Sequence, residues 1–149
     1  MPLLADDPAD RARQIVDLTE RLTHLLESET ALLNAHEPPL SGAESEEKGR
    51  LANLYRQEMA RIAGDRTLIR TAPAALIDRM RAATVRFRAA LAAHERALIG
   101  VKEVTEGLVK AIAEEVARVR GGPRGYGASG GYAEAPANVN AALALNKTA

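Results

Sequence analysis

The sequence contains no cysteine and no tryptophan, and only one phenylalanine among its 149 residues. The lack of cysteine excludes disulfides, thiolate metal ligands and a cysteine nucleophile. Twenty basic residues balance twenty acidic ones, whereas a protein built around nucleic acid usually carries a basic excess. Aromatic residues make up only 3% of the chain, whereas alanine and leucine are abundant. This composition and the chain length indicate one small helical domain with a thin core.

Long apolar runs are also lacking. No stretch of about 18 apolar residues occurs, so we expect no membrane-spanning helix. The first residues, MPLLADDPADR, have neither a basic flank nor an apolar core segment, so we do not expect a secretory signal peptide.

Residues 1–120 are predicted to form a helical bundle with helices at about 8–36, 44–64 and 73–120. Asp7 and Pro8 predict a helix start. The Asp carboxylate can accept a hydrogen bond from an unpaired backbone N–H of the first turn, and Pro fits there because it has no N–H to leave unpaired. Pro38 and Pro39 are predicted to end the first helix.

A capping box from Ser41 to Glu44 predicts the start of the second helix. The sequence leaves open whether this helix continues past Gly64. Pro73 is predicted to open the third helix, and Gly121, with a further glycine and a proline behind it, to close it.

The third helix carries three apolar columns at heptad spacing. They are Leu76, Ala83, Ala90, Ala97, Val104 and Ala111; Ile77, Thr84, Leu91, Leu98, Thr105, Ile112 and Val119; and Met80, Phe87, His94, Val101, Leu108 and Glu115. Three columns make a bundle face, wider than the two-column seam of a dimeric coiled coil. The predicted fold is therefore all-α, an elongated antiparallel bundle or coiled coil with one very long C-terminal helix and a disordered tail.

The helix lengths predict an overhang. At 1.5 Å per residue the first helix spans about 43 Å and the third about 70 Å, so in an up-down-up order the third outruns the first near Val101. An apolar stripe without an internal cover normally marks a partner site. The candidate partner-binding residues are Val101, Val104, Leu108, Val109, Ile112, Val116 and Val119.

Charge favours a parallel placement of the first and third helices. The first 40 residues are acidic, whereas the start of the third helix is rich in arginine, with Arg79, Arg81, Arg86, Arg88 and Arg96. Exposed pairs contribute only about 0–1 kcal/mol each, but their pattern helps to select the register.

Residues 121–149 are predicted to be a flexible Gly-rich tail with a short apolar end. Its candidate docking residues are Tyr126, Tyr132, Val139, Leu143 and Leu145. A docking peptide and a frayed terminus remain equally open interpretations.

The succession LTERLTHLLESETALLNAHE, a break, EEKGRLANLYRQEM and one long final helix resembles the FlgN-type flagellar export chaperones over residues 15 to about 119. The matching features are Leu32 and Leu33 ahead of the break, the restart at Glu47 and Lys48, and Leu51 with Tyr55 behind it. The double proline and the Gly-rich tail have no counterpart in that pattern.

This resemblance implies a cytoplasmic chaperone. Such a protein holds terminal helical segments of hook–filament junction proteins and delivers them to the type III export apparatus, here with the tail as a possible contact. The substrate region of the family lies toward its C-terminal helix, in agreement with the overhang. We expect a monomer or weak homodimer; the cargo and its stoichiometry cannot be read from the sequence.

The sequence also bears on three other classes of function. An enzyme is not expected, because His24, His36 and His94 form no Glu-x-x-His pair and no phosphate-binding glycine loop occurs; we therefore expect no metal and no cofactor. His94, in a core column, is expected to be a hydrogen-bonded or interface histidine rather than a metal ligand. The basic cluster RMRAATVRFR is expected to be a solvated or helix-pairing face rather than a nucleic-acid site. A coiled-coil scaffold or coat protein that self-associates through the long helix is the main alternative.

Overall fold

The computed structural model describes residues 2–121, and within that part every regular element is helical. Four helices follow one another: α1 Pro8–Asn34, α2 Gly42–Gly64, α3 Thr67–Arg70 and α4 Ala74–Arg120. The predicted all-α class with a much longer final helix is confirmed for these residues. None of the described helices is both long and apolar enough to cross a bilayer. The chain divides into two compact units, Met1–Ala111 and Ile112–Ala149.

The two helix starts differ in their capping. At α1 the prediction is confirmed, since the Asp7 carboxylate accepts the backbone N–H of Asp10 at 2.7 Å and Pro8 opens the helix. At α2, Ser41 occupies the N-cap position but its side chain makes no capping hydrogen bond. The predicted capping box is therefore wrong. Gly42 has φ of +58°, so the backbone enters α2 through the left-handed region rather than the extended-to-helical step of a capping box.

Helix α1 ends at Asn34, before the two prolines that were predicted to stop it. The helix is ended by His36, whose backbone is left-handed with φ of +58°. The N–H of His36 donates to the Leu33 carbonyl at 3.1 Å, and that of Glu37 to the Leu32 carbonyl at 2.9 Å. This is a Schellman ending with histidine where glycine is usual. The helix is thus closed by backbone hydrogen bonds.

Replacing His36 by glycine is expected to stabilise the fold by about 0.5–1 kcal/mol, because a left-handed backbone costs L residues about 1–2 kcal/mol and part of that gain is lost to greater unfolded-state freedom. The measurement is the free energy of unfolding in urea. Ala35, with φ of −84°, provides the control, since Ala35→Gly should destabilise. A destabilised His36→Gly variant would show that the imidazole has a structural role.

The sequence left open whether the second helix continues past Gly64, and in the structure it does not. Helix α2 ends there and Asp65 is extended. The Asp65 carboxylate accepts the N–H and the hydroxyl of Thr67 at 3.0 and 2.5 Å, and these hydrogen bonds lower its pKa. The four-residue α3 that follows places Leu68 and Ile69 on a separate short element.

Within the Met1–Ala111 unit, ion pairs show in which direction α2 and α4 run relative to α1. Helix α2 runs antiparallel to α1, with Arg11 paired to Glu58 and Arg21 to Glu47. Helix α4 runs parallel to α1, with Arg79 paired to Glu20 at 3.3 Å and Arg86 to Glu27 at 2.8 Å. The predicted up-down-up order and the predicted charge attraction are confirmed. Two arginines of the basic cluster therefore pair helices, as expected.

The core lies where α1, α2 and α4 meet. Leu22 and Leu26 of α1 pack on Phe87 and Ala90 of α4, with Tyr55 of α2 against them. The rings of Tyr55 and Phe87 are 4.8 Å apart between centroids and tilted by 48°. Burial raises the pKa of Tyr55.

One predicted core column is wrong in its upper part. Leu91 and Leu98 are 38% and 46% exposed, whereas Ala90 and Ala97, one position earlier, are buried. Successive residues of an α-helix differ by about 100° in direction. The leucine column therefore lies at the edge of the interface, and the small alanines let α4 approach its neighbours closely.

Candidate partner-binding surface

Among residues 2–121, nothing covers helix α4 beyond about Val101, as the helix lengths predicted. Ala97 is buried and Val101 is half-buried, whereas every residue from Lys102 to Arg120 is exposed. Exposure of α4 begins at this point because α1, which packs against it, ends at Asn34. His94 lies beside Glu29 of α1, and only about one further turn of α1 follows that contact.

The predicted site residues remain apolar and accessible along this helix. In the Met1–Ala111 unit, Val104, Leu108 and Val109 are 50–59% exposed. In the Ile112–Ala149 unit, Ile112, Val116 and Val119 are 44–70% exposed. Full burial of one such side chain contributes about 1.5–3 kcal/mol, so the surface is suited to a partner. The binding role itself stays a prediction.

Three further apolar residues of α4 are accessible, and two of them, Leu91 and Leu98, belong to a column that was predicted to lie in the core. Leu91 and Leu98 are partly exposed, and Ile99 is 57% exposed. Leu91 and Val109 are 18 residues apart, which is five turns of an α-helix, so they lie on the same side of α4. We name Leu91, Leu98, Val101, Val104, Leu108 and Val109 the apolar stripe. It begins within the bundle, and nothing in the heptad pattern distinguishes this exposed leucine column from a buried one.

A polar cluster joins α1, α2 and α4 beside the first residues of the stripe. His94 Nε2 of α4 lies 2.7 Å from Glu29 Oε2 of α1, and Lys48 of α2 donates to the same oxygen. The Glu29 side chain is only 5% exposed. Burial by itself raises the pKa of Glu29, but the hydrogen bonds from Lys48 and His94 outweigh it, so the pKa is lowered. The expected hydrogen-bonded role of His94 is confirmed.

Glu29→Gln is expected to lower the free energy of unfolding by about 1–3 kcal/mol at pH 7, because Lys48 and His94 lose a charged acceptor. The carboxylate stabilises the fold above its ordinary pKa of 4.5, and this contribution is lost as pH falls through the lowered pKa of the folded state. The difference between wild type and variant should therefore shrink below about pH 4. Urea unfolding at several pH values measures it, with exposed Glu37→Gln as control. A difference that is the same at every pH would contradict the assignment.

The predicted docking residues of the tail, Tyr126, Tyr132, Val139, Leu143 and Leu145, lie outside the described residues. Their role stays a prediction.

Comparison with known proteins connects the chain to a flagellar protein. It is 41% identical over 150 residues to the flagellar basal-body protein FlbY of Caulobacter vibrioides, and the match covers the whole of both chains. No protein-family model matches the sequence, and no solved structure matches it.

Proposed function

Because this chain belongs to the family of the flagellar basal-body protein FlbY, we propose that it acts in flagellum assembly as an export chaperone. It binds terminal helical segments of hook–filament junction proteins in the cytoplasm and delivers them to the type III export apparatus. The family relationship supports the flagellar role. The resemblance to FlgN-type chaperones supports the finer assignment, and the observation that carries it is the exposed apolar stripe.

The stripe has the spacing that a partner helix requires. Val101, Val104 and Leu108 stand at positions i, i+3 and i+7, which an amphipathic helix can match with its own apolar face. The helix that carries them is already formed, so cargo binding does not have to order it.

The chemistry of this surface suits a cargo that must be released. Residues 101–120 contain no aromatic side chain, and the strongest binding residues of interfaces are usually tryptophan, tyrosine and arginine in enclosed pockets. A valine and leucine face on one helix gives moderate affinity. Because a chaperone has to give up its cargo at export, moderate affinity is consistent with the proposal.

Co-expression of the full chain with terminal segments of the junction proteins from the same cell tests the proposal. We expect a complex of defined stoichiometry on gel filtration with light scattering. The chain alone should be a monomer or a dimer that dissociates on dilution. An assembly that persists on dilution and binds no junction segment would favour the alternative, a scaffold that self-associates through α4.

The tail is proposed to contact the export apparatus. Deletion of residues 121–149 should leave unfolding and cargo binding unchanged and reduce export of the cargo in cells. Loss of cargo binding in the shortened chain would instead assign the tail to the cargo site, and unimpaired export would leave it without a delivery role.

A further inference from the structure

A second apolar surface lies beside the start of α4, before the stripe begins. A groove of about 650 Å³ opens where the end of α2, α3 and the start of α4 meet, within the Met1–Ala111 unit. Its apolar wall consists of four half-buried side chains, Met59, Ile62, Ile69 and Ile77. Its rim carries three exposed arginines, Arg66, Arg70 and Arg81. The groove therefore joins an apolar wall to a basic rim.

The positive charge of this rim is only partly balanced. Arg81 pairs with Asp78 at 3.4 Å, but both side chains are more than 70% exposed, and such a pair is weak. Within residues 2–121, Arg66 and Arg70 take part in no ion pair with a carboxylate. The adjacent Asp65 carboxylate is already bound by Thr67. Two guanidinium groups are thus available to a ligand.

We propose that this groove docks an acidic amphipathic helix of a partner protein. The apolar face of that helix packs on the isoleucines and Met59, whose flexible thioether side chain adapts to different shapes. Its carboxylates pair with Arg66 and Arg70, because a guanidinium binds a carboxylate through two parallel hydrogen bonds.

Two other ligands fit the groove less well. A small anion would use the arginines but leave the apolar wall in water. An anionic membrane surface would meet protruding side chains, as on an amphipathic surface helix, whereas Met59 and the isoleucines line a concave groove. A helix with apolar and acidic faces satisfies both halves of the surface.

The docking groove and the stripe are separate. On α4, Arg81 is 10 residues, or about 15 Å, from Leu91 at the start of the stripe, and 20 residues, or about 30 Å, from Val101. Cargo on the stripe and a partner in the groove can therefore bind the same chain together. The inference does not depend on the chaperone assignment, because it rests on the groove alone.

Methyl resonances of the isotope-labelled full chain provide the test. The probe is a synthetic, end-blocked peptide of about 14 residues, with leucines at helical spacing and glutamates elsewhere. We expect saturable shifts of Met59, Ile62, Ile69 and Ile77. The methyl group of Ile99, next to Leu98 of the stripe, reports any separate binding there, and Ile15 in the core reports that the fold is intact.

Charge variants test the arginines. Arg66→Glu with Arg70→Glu should weaken peptide binding at least about tenfold, and the corresponding glutamine pair should weaken it less. Arg50→Glu with Arg56→Glu, which changes two exposed arginines of α2 outside the groove, should bind as wild type. A peptide with glutamine in place of every glutamate should also bind at least about tenfold more weakly.

Several results would overturn the docking proposal. They are shifts confined to Ile99, equal affinity for the glutamate and glutamine peptides, and unchanged affinity in the Arg66 and Arg70 variants. Binding of vesicles containing phosphatidylglycerol without binding of the peptide would likewise overturn it and assign the groove to a membrane surface.

Discussion

Replacing Glu58 by alanine is expected to lower the free energy of unfolding by about 3–5 kcal/mol, because it leaves a nearly buried arginine without its counter-charge. Glu58 is completely buried. It accepts hydrogen bonds from Arg11 Nη1 at 2.6 Å, from the backbone N–H of Leu3 at 3.0 Å and from Arg61 Nη1 at 3.1 Å. One carboxylate thus joins α1, α2 and the N-terminal segment.

Urea unfolding of the full chain measures this loss. Glu46→Ala, at an exposed position of the same helix, controls for removal of a glutamate and should change stability by less than about 0.5 kcal/mol. Glu58→Leu combined with Arg11→Met should recover part of the loss, since an apolar pair of similar volume can replace a buried ion pair. A loss below about 1 kcal/mol for Glu58→Ala would contradict the assigned role.

Val104→Asp combined with Leu108→Asp is expected to reduce cargo affinity at least about 100-fold. Each substitution removes an apolar side chain whose burial contributes about 1.5–3 kcal/mol, and about 1.4 kcal/mol corresponds to a factor of ten in affinity. Both side chains are more than half exposed in the chain alone. The stability of the bundle should therefore hardly change.

A matched variant separates the binding surface from general effects of charge. Ala113→Asp with Ala117→Asp adds the same charge at exposed positions of α4 with the same spacing, outside the predicted apolar columns. Isothermal titration with a junction-protein segment should give wild-type affinity for this variant. Equal losses in the two variants would indicate a nonspecific charge effect, and unfolding of the Val104 and Leu108 variant would place these residues in an internal core.

The features that were predicted correctly from the sequence depend on interactions between residues close in the chain, or on the lengths of the helices. The Asp7 carboxylate and the Asp10 N–H that it accepts are only three residues apart. The short sequence around Asp7 and Pro8 is therefore enough to predict this cap. The loss of cover near Val101 followed from the difference in length between two helices. The exposure of Leu91 was missed, since a heptad column does not reveal from which side the neighbouring helices approach.

One long-range contact and two unusual backbone conformations account for the other features that the sequence did not show. Glu58 stands on α2 like any solvent-exposed glutamate, and its burial depends on Arg11, 47 residues away in the chain. Ser41 and Glu44 match a capping pattern, but the φ of Gly42 gives the backbone a different path. His36 closes α1 in a conformation that favours glycine, and no sequence rule points to a histidine there.

Amide hydrogen exchange along α4 tests the central claim, that the exposed apolar face of this helix holds the cargo. Exchange of residues 102–120 is measured in the full chain, alone and with a saturating junction-protein segment. We expect clear slowing of exchange in this range on binding, with little change at the groove between α2, α3 and α4. Formation of the complex without slower exchange in residues 102–120 would contradict it.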